Sequence, residues 1–218
     1  MRFAQSLGYQ GFSDLQEVFR SRLRERVLNY DERLQQLQDH AKDKSKSSVI
    51  LDGFSEASSK SIADLRQHID ENQLEQAIAM LANAETIYLV GLRRSFPLSS
   101  YMAYAFGKLG VRTRLVDAVG GLAQEDVSFA TAKDCVLAIS FTPYASETVA
   151  LAQAAVARKV PIVAITDSPF SPLASLATTW FEIQEANFEG FRSMAATLTL
   201  AMTLTVAVAE RRSTRKGK

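Results

Sequence analysis

Five short apolar runs constrain this chain more than any other feature: they lie near Thr86–Gly91, Arg112–Val116, Asp134–Ser140, Val160–Thr166 and Thr178–Gln184, with helix-patterned stretches between them. Several are unbroken Val/Ile/Leu/Ala sequences without the polar alternation of a half-exposed strand, so both faces of each are expected to be covered. Such strands belong in a parallel sheet with helices on either side, the α/β class. Intervening helices are expected at Ser95–Leu109, Gly120–Ala130 and Ser146–Arg158, with a short helical turn at Ser171–Ala177. Right-handed crossovers and one switch in winding direction then predict the strand order 2-1-3-4-5. In that order the first and third strands are neighbours, and a ligand crevice opens beyond their carboxyl ends, at Gly91 and Ser140.

With 218 residues and 24.0 kDa, the chain has room for one sizeable domain and an appendage. Its 25 Lys and Arg nearly cancel its 24 Asp and Glu, so bulk charge advertises neither nucleic acid nor an anionic membrane as a partner, and any DNA contact would be local. The one cysteine, Cys135, lies within the third run; this excludes an intrachain disulfide, suits a reducing cytoplasm and reads as core packing. Met1-Arg-Phe-Ala-Gln-Ser lacks the apolar core of a signal peptide. The longest apolar-rich stretch, Met194–Ala209, is interrupted by four threonines and is shorter than the ~20 apolar residues that span a bilayer; it reads as a buried helix. The basic Arg211–Lys218 that follows is expected to be a frayed, solvated end.

Before the first strand the pattern is helical throughout. Ser13 with Gln16 three residues on has capping-box spacing and opens a long helix through Leu15, Val18, Phe19, Leu23, Val27, Tyr30 and Leu34, whose apolar stripe needs a partner surface. Asp39–Ser48 is charged and serine-rich and reads as a linker. Further helices are expected near Ser58–Ile69 and Asn72–Ala84. No internal repeat is present.

The chemistry-bearing segments sit at the predicted crevice. Gly91-Leu-Arg-Arg-Ser95 places a glycine at a strand end, the planar donor forks of Arg93 and Arg94, and the Ser95 hydroxyl at a helix start. Ser140-Phe-Thr142-Pro-Tyr-Ala-Ser146-Glu147-Thr148 carries serine and threonine hydroxyls at both of its ends, with Pro143 fixing the backbone midway and Ser146 as the natural N-cap of the next helix. Two hydroxyl loops feeding helix N-termini suit a phosphate. Neither is a G-x-G-x-x-G fingerprint or a P-loop, so no nucleotide cofactor is expected. Asp167-Ser-Pro-Phe-Ser171-Pro reads as a turn, with Ser171 capping a short helix. Glu147, Glu185 and Glu189 are the carboxylates within reach of the crevice, as acid–base groups or as partners of sugar hydroxyls. His40 and His68 lie in the helical part, and no metal site is expected.

With these residues assembled, positions 76–210 resemble the SIS (sugar isomerase) domain, a phosphosugar-binding module. The likeness rests on Gly91-x-x-x-Ser95, Ser140-x-Thr142, Ser146-Glu-Thr148 and Ala164-Ile-Thr-Asp-Ser-Pro-Phe-Ser-Pro-Leu-Ala174. Gly-Leu-Arg-Arg-Ser-Phe, Ser-Phe-Thr-Pro-Tyr-Ala-Ser-Glu-Thr and Gly190-Phe-Arg-Ser193 resemble, more narrowly, the SIS half of RpiR/MurR-type bacterial transcription regulators. Arg2-Phe-Ala-Gln-Ser-Leu-Gly-Tyr-Gln-Gly-Phe-Ser-Asp-Leu15 resembles the end of that family's helix-turn-helix domain. The resemblance implies a domain that senses a sugar phosphate and sets the affinity of an attached DNA-binding dimer. It gives Ser95, Ser140, Thr142, Ser146 and Thr148 the phosphate-loop role; Arg93, Arg94 and Glu147 join them from their chemistry, and Arg2 is the DNA-contact candidate. Two departures stand out: Pro143 replaces the glycine of the family's S-x-S-G-x-T loop, and Met1 directly precedes the Arg-Phe segment where the family has several helices. A start placed too far downstream is the expected cause of the second, the alternative being a truncated regulator that retains sensing and dimerisation alone. The organisation expected is a helix-turn-helix remnant and long helix over 1–40, a linker and helix over 41–75, the SIS domain over 76–212 and a basic tail over 213–218. The expected function is a cytoplasmic, phosphosugar-responsive, homodimeric transcription regulator with no catalytic residues. The alternatives are a phosphosugar isomerase using Glu147 or Glu185, and a degenerate SIS dimerisation module.

Overall fold

The structure, a computed structural model, describes residues 34–35 and 45–216. The long helix from Ser13, apart from residues 34–35, and the Arg2, Phe3 and His40 positions lie outside the described residues. The chain divides into two compact units, one taking in residues up to Ala57 together with Ala186–Ser193, the other Ser58–Glu185 together with Met194 onward.

The second unit carries the sheet. Its strands are β1 (Ile87–Val90), β2 (Thr113–Val116), β3 (Cys135–Ile139), β4 (Ile162–Thr166) and β5 (Thr179–Glu182). They form one five-stranded sheet in the order β2-β1-β3-β4-β5, with every pairing parallel. This is the class and order predicted. β1, β3 and β4 are buried along their whole length, as unbroken apolar runs require. Helix α1 (Lys46–His68) enters the unit at Ser58, and α2 (Glu71–Asn83), α3 (Phe96–Lys108), α4 (Ala123–Ser128), α5 (Ser146–Ala157), α6 (Pro172–Leu176) and α7 (Ala195–Lys216) complete the helical layers.

Strand side chains alternate between two cores. Ile87, Leu89, Leu137 and Ile165 pack with Leu81 of α2, Met102 and Phe106 of α3 and Leu204 of α7. Tyr88, Val90, Val136 and Ala164 pack on the other face with Val127 of α4, Leu151 and Ala155 of α5 and Leu173 of α6. At the amino ends of the strands Asp134 ties β3 to β1: its Oδ1 accepts from Thr86 N at 3.0 Å, and its Oδ2 accepts from Thr131 N at 2.8 Å and Thr131 Oγ1 at 2.9 Å.

Three helical expectations are corrected. α1 begins at Lys46, so Lys46–Ser48, read as linker, are helical. The Met194–Ala209 stretch is a helix buried on one face only, since Leu198, Met202 and Val206 are exposed on the other. The basic end does not fray at Arg211, because α7 runs to Lys216 and Arg212 donates to the Leu81 and Ala84 carbonyls at 3.0 and 2.6 Å. Arg215 reaches the Asn83 side-chain oxygen, so Arg212 and Arg215 meet the negative C-terminal end of α2, while Arg211 pairs with the Glu75 carboxylate nearer the helix start.

In the first unit a hairpin of β6 (Asn187–Phe188) and β7 (Phe191–Arg192) turns through Glu189 and Gly190, both at positive φ as a primed hairpin turn demands. Phe54 meets Phe188 and Phe191 edge-on at 5.7 and 6.3 Å. The Phe188 ring lies where a Cβ at Gly53 would be, so the glycine admits the ring. No described helix is long and apolar enough to cross a membrane.

Candidate functional site

β1 and β3 lie side by side, Val90 beside Ala138, and their carboxyl ends open into the two hydroxyl loops. After β1 the chain turns through a single 3-10 turn, Arg93–Ser95, into α3, whose start is set by Pro97. Gly91 relieves a close approach: a Cβ there would stand 3.1 Å from the Ser95 carbonyl oxygen and 3.2 Å from Ser99 Oγ, so its neighbours would have to shift by a few tenths of an ångström. Ser99 Oγ donates to the Gly91 carbonyl at 3.0 Å and pins the helix to the strand end. Ser95 holds the N-cap position of α3 and is buried, but its side chain makes no capping hydrogen bond.

The loop after β3 is built from hydrogen bonds to β4. Ser140 is buried; its Oγ accepts from Ala145 N at 3.2 Å and its carbonyl accepts from Thr166 Oγ1 at 2.8 Å. Thr166 Oγ1 also lies 2.7 Å from Ser171 Oγ, which accepts from Leu173 N at 3.2 Å and caps α6 as predicted. Thr142 N donates to Asp167 Oδ2 at 3.0 Å. Burial raises the pKa of the Tyr144 phenol, whose neighbours include Thr142, Asp167 and Ser171. The Thr142–Pro143 peptide bond is cis. The N-cap of α5 is Ala145 and not the expected Ser146, which is the first helical residue. Ala145 carries the extended backbone of an N-cap, and the Ser146 hydroxyl, one residue inside the helix, donates to Glu147 Oε2 at 3.0 Å.

Both arginines of the β1 loop cross to the β3 loop. Arg93, held at φ 54° in the left-handed region, donates through Nη2 to Glu147 Oε1 at 2.8 Å and Oε2 at 3.0 Å. Arg94 donates to the Thr142 carbonyl at 3.3 Å and lies 5.7 Å from the centre of the Phe141 ring. The Arg93 guanidinium, followed by the Glu147 backbone N–H and the Ser146 hydroxyl, lowers the Glu147 carboxyl pKa to about 2. Thr148, in the first turn of α5, is fully buried, and its hydroxyl finds no hydrogen-bond partner in the structure.

Arg93, Arg94, Thr142, Ser146 and Glu147 are thus linked by hydrogen bonds between and within the β1 and β3 loops, while Ser95, Ser140 and Thr148 of the same segments are buried. Glu185 does not turn toward this crevice: its Oε1 accepts from Thr197 N at 2.8 Å and Thr197 Oγ1 at 2.7 Å, capping α7. Glu189 lies in the other unit, at the hairpin tip. Asp167 and Thr166, which brace the β3 loop, were read from sequence only as turn and strand residues. A separate cavity of about 550 Å³, lined by Ser61, Asp64, His68, Asp70, Trp180 and Glu182 among others, runs along the outer edge of β5, and no sequence motif announces it. Among the described residues no group of three His, Cys, Asp or Glu side chains could hold a metal ion.

The family model of the SIS domain matches residues 80–209. The chain belongs to the SIS domain family. Among curated proteins the SIS chain is similar to the "Bifunctional protein glk" of Burkholderia thailandensis, 31% identical over 184 residues, which cover 84% of this chain and 27% of that protein. The chain therefore spans about a quarter of the length of that relative. Among solved structures its fold resembles the sugar isomerase domain of the RpiR transcription factor from Sphaerobacter thermophilus (TM-score 0.68, 22% identity, 72% of this chain and 88% of that one). It also resembles the Vibrio vulnificus NanR protein complexed with ManNAc-6P (TM-score 0.69, 23% identity, 99% and 75%). A third neighbour is the protein MJ1247 of Methanococcus jannaschii, for which a 3-hexulose-6-phosphate isomerase function is inferred (TM-score 0.59, 17% identity, 74% and 90%).

Proposed function

We propose that this SIS chain is the effector-sensing part of a phosphosugar-responsive transcription regulator of the RpiR type. The observation that carries the reading is the clasp at the switch point, where Arg93 and Arg94 reach from one hydroxyl loop to the other. A sugar phosphate bound there would be held by Arg93, Arg94, Ser95, Ser140, Thr142, Ser146 and Thr148, with Glu147 beside them, and would alter how the two loops are tied together. ManNAc-6P in the structurally similar NanR is a ligand of this chemical class.

A proton shuttle between sugar carbons needs a base poised near the working pH. Glu147, with its pKa lowered to about 2, is a weak base, and Glu185 is committed to capping α7. Both features favour binding over turnover. DNA contact belongs in this reading to a helix-turn-helix ahead of the SIS domain, Arg2 included, and to a homodimer. The exposed Leu198, Met202 and Val206, spaced one helical turn apart on α7, offer an apolar face for a second copy.

The test is a titration with a panel of hexose and amino-sugar phosphates, followed by NMR of each mixture over hours. Saturable binding without aldose–ketose conversion supports the regulator. Conversion that disappears in Glu147→Ala assigns an isomerase, and no binding of any phosphate assigns a dimerisation module.

A further inference from the structure

We propose that Glu147 is a built-in anion that the phosphate of the ligand displaces, so that the crevice opens by exchanging a carboxylate for a phosphate on Arg93. The inference rests on the effector reading and assigns that site its resting state.

Three kinds of donor favour phosphate oxygens at a helix start: a guanidinium, a hydroxyl and a free backbone N–H. In this chain the first two meet on one side chain in the first turn of α5. Arg93 Nη2 spans the two Glu147 oxygens at 2.8 and 3.0 Å, and Ser146 Oγ donates to Oε2 at 3.0 Å. The carboxylate thus occupies donors that a phosphate would use.

The pair is built to be broken. Its side chains are 66% and 53% exposed, and an ion pair in that position is screened and weak. A phosphate monoester brings close to two negative charges and three acceptor oxygens to the same donors, against one charge and two oxygens for the carboxylate. An unphosphorylated sugar brings no charge and leaves the clasp closed. Glu147 in this role sets specificity by competition and is not one of the ligand's own contacts. Release of Arg93 would also remove one of the two arginine ties between the β1 and β3 loops, leaving that of Arg94, a local change that a binding event can transmit.

The experiment uses the whole chain with inorganic phosphate as the bare probe, followed by ¹⁵N chemical shifts of the Ser146–Thr148 amides. Wild type is compared with Glu147→Gln, which keeps size and removes charge, and with Arg93→Ala. Native spectra of each variant establish that it folds, and Glu147→Ala repeats the test without an amide. Glu147→Gln is expected to bind phosphate about threefold to fivefold more tightly, the worth of one exposed ion pair, and Arg93→Ala to bind more weakly than either. Equal or weaker binding by both Glu147 variants, with wild type still binding at these amides, overturns the exchange and leaves the effector site standing. No phosphate response in wild type or in either Glu147 variant overturns both.

Discussion

Thr148→Val isolates the oddest group in the crevice. The Thr148 hydroxyl is buried in the first turn of α5 with no partner, and leaving such a group unpaired costs roughly 1–3 kcal/mol. Valine has nearly the same shape and similar helix propensity, so the substitution removes the polar atom without opening a cavity. Ligand-free protein is expected to gain about 1–2 kcal/mol, which for a chain of this size raises Tm by roughly 2–4 °C per kcal/mol. Urea unfolding should show a higher midpoint with an unchanged slope. If the hydroxyl is held in reserve for a ligand, the same variant binds sugar phosphate more weakly. A Tm lower than wild type by more than about a degree, or a gain in stability with unaltered affinity, refutes the reasoning: the first shows a partner within the fold, the second shows no role in binding.

Other consequences follow from particular groups. Asp134→Ala strips three hydrogen bonds, one from Thr86 N beside β1 and two that close the turn from Thr131, and should cost about 2–4 kcal/mol in urea unfolding; a cost under about 1 kcal/mol would count against that brace. Burial raises the Cys135 thiol pKa to about 12, so native protein should resist a thiol reagent at pH 8 until denaturant is added; prompt labelling would contradict the buried placement. Folding lowers the Glu147 carboxyl from 4.5 to about 2, so the native state binds this proton less tightly than the unfolded chain. Its contribution to stability is complete above about pH 4.5 and is lost as pH falls through about 2. The Tm difference between wild type and Glu147→Gln should therefore be flat from neutral pH to about 5 and shrink below it, and a pH-independent difference would refute the assigned ion pair.

The order of the sheet was legible because burial on both faces leaves an unbroken apolar signature, and β1, β3 and β4 carry it along their whole length. The two loops were legible because their hydroxyls exceed what capping needs. What the sequence did not disclose depends on contacts far along the chain. Lys46–Ser48 closes the charged, serine-rich stretch that reads as linker, yet it opens a helix that runs on through Phe54, which lies against the hairpin phenylalanines. That hairpin has two-residue strands, too short to show alternation. α7 extends through its basic end because Arg212 meets carbonyls at the end of α2, a contact no local pattern encodes. Capping preference counts hydroxyls and so selects Ser146, whereas here the loop held by Ser140 on the Ala145 N–H brings the extended cap position to Ala145, one residue earlier. Asp167 looked like turn chemistry until its bond to Thr142 N placed it under the β3 loop.

The most direct test of the effector site is calorimetric titration of the chain with hexose and amino-sugar 6-phosphates, each beside its unphosphorylated parent, in wild type and in Arg94→Ala. Saturable binding of at least one phosphorylated sugar is expected, undetectable for its parent and about tenfold or more weaker in Arg94→Ala, as loss of a charge-assisted hydrogen bond implies. Equal binding of a sugar with and without its phosphate, or binding indifferent to Arg94, would contradict a phosphate site clasped between the β1 and β3 loops.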